Sequence, residues 1–228
     1  MSESQDVSSG PPPQLPPPAS RPITTPQIFL WALLVAALIT LAGLTWWTRQ
    51  QRVASAQPAP GVLFALPEFS LTDSDGQALS RRDLEGSPWI ASFIFTRCGG
   101  VCPLITEQMK ALGKRFPAAS RVARVSITVD PEFDTPAVLA DYATKHGVGS
   151  LTASRWHFLT GPPQVVRPLI LQGFHLALEQ GATPQEPILH STRLMLVDRY
   201  GKARGTYEYD DPQSMDRLIV DLSSLLAE

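Results

Sequence analysis

The stretch Phe95-Thr96-Arg97-Cys98-Gly99-Gly100-Val101-Cys102-Pro103 holds the only two cysteines of this 228-residue chain. A hydrophobic run, Pro88 to Phe95, leads into it and reads as a buried strand. A helical pattern, Pro103 to Phe116, leads out, with proline at the first helical position, where its missing N–H costs nothing. A thiol pair at a strand-to-helix junction demands a fold in which a central strand feeds a helix N-terminus. The expected loop exposes both sulfurs to free N–H groups, and the positive end of the helix dipole favours thiolate over thiol. Arg97 beside the pair is expected to act in the same direction. Cys98 and Cys102 are spaced by one helical turn, and Gly99 and Gly100 let the loop close so that both sulfurs face one point.

The rest of the chain reads as accessories followed by one domain. Residues 1–27 are polar and proline-rich, too poor in apolar surface to offset the entropy of ordering, and read as a disordered tail with polyproline II character. Ile28 to Trp47 is an uncharged apolar run. At about 1.5 Å per residue a helix of this length spans roughly 30 Å, the hydrocarbon thickness of a bilayer. It is therefore expected to be a transmembrane helix, with Trp46 and Trp47 at the far interface. Ala54-Ser55-Ala56 resembles a signal-peptide cleavage site, but the run is long for a signal sequence and no basic segment precedes it, so a retained anchor is preferred. Residues 48–63 form a linker of small and polar residues. One arginine precedes the run and two follow, a difference that by itself places the C-terminal part in the cytoplasm.

From residue 64 onward strand and helix patterns alternate. Asp73-Ser74-Asp75-Gly76 reads as a hairpin turn, Ser80 as the cap of a short turn through Leu84, and Arg121 to Val129 as a strand. Asp134-Thr135-Pro136 starts a helix that ends near His146 and Gly147. Trp156 to Leu159 is a strand, Pro163 to Gln172 a helix, Phe174 to Leu178 a short strand and Gln180 to Pro187 a loop. Arg193 to Val197 and Ala203 to Tyr207 flank a turn at Asp198 to Gly201, and Pro212 to Leu226 is an amphipathic helix. This order predicts an α/β fold, a mixed sheet with helices on both faces, and the cysteine pair at the end of its first central strand makes it thioredoxin-like. The formal net charge of −2 excludes an electrostatic case for nucleic-acid binding.

Two thiolates at one point suit a soft metal, Cu(I) or Zn(II), or a reversible disulfide. A plain stabilising disulfide across so short a loop removes little chain entropy. Among the four histidines, His146 ends a helix and reads as a cap, and His157 and His175 lie in predicted strands beside aromatic residues. His190, in a loop just ahead of the strand from Arg193, is placed to meet the sulfurs in a thioredoxin-like sheet.

Three segments then line up. Phe95-Thr96-x-Cys98-x-x-x-Cys102-Pro103, Val129-Asp130-Pro131-x-x-Asp134-Thr135-Pro136, and His190-Ser191 ahead of Leu196-Val197-Asp198-x-x-Gly201-Lys202 resemble the Sco/SenC family, as does a single N-terminal anchor. The family consists of membrane-anchored, thioredoxin-like copper proteins that help build the binuclear copper centre of cytochrome c oxidase. The resemblance implies that Cys98, Cys102 and His190 ligate copper, as Cu(I) or Cu(II), and that the partners are the copper-receiving subunit of the oxidase and a copper donor. Asp130 and Asp134 read chiefly as turn and cap residues. Where the family often carries Cys-Pro-Asp-Val-Cys, this chain has Gly99 and Gly100, losing an acidic residue and some rigidity.

Two functions follow from the same sulfurs: copper binding and transfer, or, as an enzyme, thiol–disulfide exchange with Cys98 and Cys102 as the reacting groups. The extra residue relative to Cys-x-x-Cys, together with His190, favours metal. A peroxiredoxin-like peroxidase would need proline and threonine where Ala91 and Phe95 stand, and a structural zinc site lacks a nearby fourth ligand. Oxidase assembly and a reducing cytosol do not fit together. The resemblance therefore implies the outer face of a bacterial inner membrane, or the intermembrane-space face of a mitochondrial one.

Overall fold

The computed structural model describes residues 31, 33–45, 59–116, 121–148, 155–183 and 186–228, without the side chains of 179–183 and 186–190. The chain divides into two compact units, Met1–Gln50 and Gln51–Glu228. In the first, residues 33–45 are helical with exposed side chains. No helix among the described residues is long and apolar enough to cross a membrane. The proline-rich tail, the ends of the 28–47 run and the 54–56 segment lie outside the described residues.

The second unit is built on an eight-stranded mixed sheet. Its strands are β1 (Phe64–Ala65), β2 (Ser70–Asp73), β3 (Ala78–Ser80), β4 (Trp89–Ile94), β5 (Ala123–Thr128), β6 (Trp156–Thr160), β9 (Arg193–Val197) and β10 (Lys202–Glu208), in the order β1-β10-β9-β4-β5-β6-β2-β3. Strands β4, β5 and β6 are mutually parallel, and the flanking pairs are antiparallel. A separate antiparallel hairpin joins β7 (Leu178–Thr183) to β8 (Glu186–His190). Every residue of β4 and β5 is buried, as the middle of a parallel sheet covered on both sides requires.

Helices α1 (Val101–Arg115) and α2 (Pro136–Lys145) lie on one face. That face is marked by Ser92, Ser126 and Phe158, which stand side by side in the register of β4, β5 and β6. Arg124 Nη1 donates to the Met109 carbonyl of α1 at 3.0 Å, and the Tyr142 ring of α2 packs against Phe158. Buried hydroxyls there are paired: Ser92 and Ser126 share a hydrogen bond at 2.8 Å, and Trp156 Nε1 donates to Ser126 at 3.0 Å. The opposite face carries Trp89 and Phe93, and Phe174 packs edge-on against both rings. Phe174 follows α3 (Pro163–Pro168), which continues into a wider π turn, Leu169–Gly173. The final helix α4 (Pro212–Ala227) is capped by Asp211, buries Met215, Leu218, Leu222 and Leu225, and is tied to β10 by Tyr207 Oη donating to Asp221 at 2.7 Å.

Local signals correspond closely to these elements. Gly76 and Gly201 adopt left-handed φ of 82° and 75° in the β2–β3 and β9–β10 turns. Ser80 and Asp83 form a reciprocal capping box over a 3₁₀ turn, Arg81–Leu84. Some expectations differ. Residues 174–177 are not a strand, because the π turn carries the chain through Phe174 as a core anchor and His175 takes a φ of 53°. The polar 180–187 segment, expected as a loop, is the hairpin β7–β8, whose backbone pairing does not depend on apolar side chains. The chain also joins the sheet before β1: Leu63 N donates to Ala203 O at 2.8 Å, and Arg204 Nε to Pro60 O at 2.6 Å.

His157 is structural. Its Nδ1 lies 2.5 Å from Asp73 Oδ2, while Asp73 also accepts from Ser74 N at 2.7 Å and Phe158 N at 3.1 Å, joining the hairpin turn to β6. Burial pushes the Asp73 carboxyl up, but the His157 and amide hydrogen bonds outweigh it and hold the pKa below the ordinary value. The resulting stabilisation is present above the unfolded value near 4 and is lost as pH falls through the lower folded value. Asp73→Asn is expected to cost about 2 kcal/mol at pH 7. The gap from the parent should narrow below about pH 4, as measured by urea unfolding at both ends of that range.

Candidate metal centre

Strand β4 ends at Ile94, and the chain turns through Phe95–Gly100 before α1 begins. Helix α1 starts at Val101, two residues before the position expected from Pro103, with Gly100 at the cap and no side-chain cap hydrogen bond. Pro103 still sits in the first turn, where helix N–H groups have no partner to lose. The early start decides the cysteine environments. Cys102 lies inside the helix on the same stripe as the buried Ile105, Thr106, Met109 and Leu112, and is 0% exposed. Cys98, still in the loop, is 7% exposed. Both sulfurs are therefore buried, contrary to the exposed pair expected from the loop.

Both cysteines are reduced. Cys98 Sγ accepts the Cys102 N–H at 3.5 Å. Its pKa is lowered to about 5, first by the Cys102 S–H and then, against burial, by the amides of Cys102, Gly100 and Val101. The sulfur thus takes the place of a capping side chain at the N-terminus of α1. Cys102 is pushed up by sharing its proton with Cys98 and by burial. The pair is asymmetric: an acceptor thiolate in the loop, a donor thiol in the helix. Arg97 does not produce this. Its Nε and Nη2 donate to Asp130 Oδ2 at 3.1 and 2.5 Å, and its guanidinium lies over the Phe133 ring at 4.5 Å, so its charge is already matched.

The loop is held from below. Asp134, expected as a helix cap, is 0% exposed and faces the cysteine loop, and the capping role passes to Thr135, whose side chain accepts from Val138 N at 3.4 Å. Asp134 accepts from Thr96 N at 3.1 Å, Thr96 Oγ1 at 2.5 Å and Thr128 Oγ1 at 2.5 Å. Burial raises its pKa, with the Thr128 and Thr96 hydrogen bonds opposing. Behind Cys102, Thr106 Oγ1 donates to the Cys102 carbonyl at 2.9 Å and lies 2.9 Å from the Tyr142 hydroxyl. Sequence reasoning assigned none of Thr96, Thr106, Thr128 and Tyr142. Thr96 stands in the family motif without an assigned role, and the signal at Thr106, Thr128 and Tyr142 was a polar residue at a position that a strand or helix pattern turns inward.

His190 is the last residue of β8, paired in the backbone with Leu178, rather than part of a loop. Strand β9 begins three residues later and runs antiparallel to β4, with Met195 opposite Ala91. The start of β9, and the backbone of His190 just before it, therefore lie at the end of the sheet where β4 delivers the cysteines. The His190 side chain is outside the described residues. Among the described residues no three His, Cys, Asp or Glu side chains are grouped to hold a metal ion. His146 caps α2, as expected, with its ring against Tyr142, and burial lowers its pKa. His175 is exposed, edge-on to Phe64.

A mixed sheet whose central parallel strand delivers a dithiol to a helix N-terminus defines a thioredoxin-like thiol protein. The family is more specific. The SCO1/SenC family model matches residues 61–227, and the chain belongs to that family. The SCO1 protein homolog of Bacillus subtilis is 31% identical over 163 residues, spanning 71% of this chain and 82% of the relative. The solved structure of BsSco, described as a member of the Sco family of cytochrome c oxidase assembly proteins with a disulfide switch, is 30% identical. It superposes with a TM-score of 0.64 over 75% of this chain and 98% of its own. Bradyrhizobium japonicum ScoI, solved with copper bound, is 26% identical with a TM-score of 0.56 over 71% of this chain and 99% of its own.

The cysteine asymmetry is measurable. In the reduced, metal-free protein, thiolate absorbance near 240 nm should fall as pH drops through about 5, as Cys98 takes up its proton. In Cys102→Ala the midpoint should move up, because the S–H donor that holds the thiolate is gone.

Proposed function

We propose that this chain is a membrane-anchored copper-binding protein that delivers copper to, or helps mature, the binuclear copper centre of cytochrome c oxidase. The observation that carries the reading is the reduced, mutually hydrogen-bonded pair Cys98 and Cys102 at the N-terminus of α1, in a chain of the SCO1/SenC family. The donor set fits copper. Two soft sulfurs, one held as thiolate, suit Cu(I), and His190, whose backbone lies at the same end of the sheet, is the proposed third ligand. Cu(II) would be held by the same groups with an added oxygen ligand. Copper is cargo here, and a low-coordinate site lets it leave by ligand exchange. A copper-bound relative and a relative described as an oxidase assembly protein support both halves of the reading.

The anchor is the run Ile28–Trp47, retained as a single transmembrane helix, with residues 48–63 as the tether and 64–228 as the thioredoxin-like domain. It holds the domain on the outer face of a bacterial inner membrane, within reach of an oxidase subunit and a copper donor. The mitochondrial inner membrane, facing the intermembrane space, is the alternative. A periplasmic reporter fused after Glu228 should be active, and an inactive fusion overturns the topology.

A second reading draws on the cysteine asymmetry. A lowered Cys98 pKa beside a buried Cys102 thiol is the arrangement of an attacking and a resolving cysteine. The same pair would then reduce a disulfide in the copper-receiving partner: Cys98 forms the mixed disulfide and Cys102 releases it.

Metal titration of the detergent-solubilised chain tests the copper reading. One copper per chain is expected for the parent. Cys98→Ala and Cys102→Ala should each weaken Cu(I) at least about tenfold, since each removes one of only two sulfurs. If His190→Ala binds Cu(I) and Cu(II) as well as the parent, the three-ligand site is wrong. Equal binding by the double cysteine variant removes the copper reading altogether.

A further inference from the structure

At the far end of α1 from the cysteines, Lys110, Lys114 and Arg124 line one open cleft of about 200 Å³, walled by Gly113, Val148 and Trp156. No carboxylate among the described residues lines it. Arg124 belongs to the buried strand β5 and is only 7% exposed, yet it forms part of the cleft. Its guanidinium is fixed on two sides: Nη1 donates to the Met109 carbonyl at 3.0 Å, and Cζ lies 4.6 Å from the centre of the Trp156 ring. Lys110 Nζ donates to the His146 carbonyl at 2.8 Å and to Glu107 at 2.9 Å, with a third N–H still to give. Lys114 is exposed and makes no ion pair among the described residues.

Holding the fold explains only part of this arrangement. Lys110 closes the end of α2, an ordinary use of a cation at a helix C-terminus. The bond from Arg124 to Met109 is not of that kind. Met109 is not among the last four residues of α1, so its carbonyl lies within the helix ladder and needs no second donor. A buried guanidinium is costly, and burial pulls its pKa down to about 10. Gly113 carries a second cost, because glycine inside a helix is less favourable than alanine. A Cβ at Gly113 would stand 2.2 Å from Arg124 Nη1, so the helix surface is bared to admit the guanidinium. Two local costs that converge on one cationic cleft point to a ligand.

We propose that this cleft binds a phosphate group, held by the Arg124 guanidinium as a rigid fork and by the ammonium groups of Lys110 and Lys114. A planar fork flanked by two point charges suits a tetrahedral oxoanion, whose oxygens accept from several directions. The phosphate belongs either to a free phosphate compound or to an anionic lipid headgroup, since both present the same oxygens. The cleft lies apart from the cysteine pair, and its use of phosphate does not depend on the copper reading.

The test is calorimetric titration of the detergent-solubilised full chain at low ionic strength. One arm uses inorganic phosphate, the other a water-soluble dibutyryl phosphatidylglycerol. One site per chain is expected in at least one arm. Binding of inorganic phosphate alone identifies a free phosphate compound, binding of the lipid alone a headgroup, and binding of both the shared group. Lys114→Gln should weaken binding at least about fivefold, because it removes a charged donor. Gly113→Ala keeps every charge but sets a methyl against the guanidinium, and it should also weaken binding. Should that variant lose its native circular dichroism, Lys114→Gln, at an exposed position, still decides. Arg82→Gln, an equal loss of charge on the exposed 3₁₀ turn, should change binding by less than about twofold. No binding in either arm overturns the assignment. So does undiminished binding by Lys114→Gln, an equal loss in Arg82→Gln, or acetate binding as tightly as phosphate.

Discussion

The contact on which the site depends is the grip of Asp134 on Thr96 and Thr128. Thr96 stands just past the end of β4 and Thr128 is the last residue of β5, so one carboxylate ties together the C-terminal ends of two adjacent parallel strands. Those ends are where an open α/β sheet places its chemistry, because the helices that follow point their N-termini there. Without that tie, the segment from Phe95 to Gly100 would rest on its own turn and on α1. A second tie lies nearer the surface, where Arg97 spans Asp130 and the Phe133 ring. The segment from Asp130 to Thr135 is thus less a helix entry than the floor of the cysteine loop.

From that floor follows the unequal character of the two sulfurs. One helical turn separates Cys98 and Cys102, but the helix starts between them. The first meets the unpaired amides of the helix N-terminus and is stabilised as an anion; the second is carried inward on the buried stripe of α1 and keeps its proton. A donor–acceptor pair of this kind serves metal binding and disulfide exchange with the same geometry.

Much of the scaffold was legible because its determinants are local. Gly76 and Gly201 mark turns that need left-handed backbone, Ser80 and Asp83 form a capping box within four residues, and the unbroken apolar run of β4 can only be a central strand. The start of α1 was misplaced because Pro103 looks like a first-turn residue at either of two registers, and the choice is made by packing of Cys102 beneath the sheet end. The β7–β8 hairpin was hidden by its Gln, Glu and Pro content, since backbone pairing leaves no apolar signature. Arg97 was legible as a charge but not as a satisfied one, because its partner Asp130 is supplied by a different strand connection.

By itself the sequence determined that a dithiol lies between a buried strand and a helix, that both strand and helix form, and that the family motifs recur in order. These are consequences of periodicity, capping and residue type within short windows. Only the tertiary structure decided which sulfur carries the charge, that both are buried, and that Asp134 serves the cysteine loop rather than its own helix. Proton sharing, desolvation and long-range hydrogen bonds depend on groups brought together from β4, β5, α1 and α2. No window along the chain contains those four elements at once.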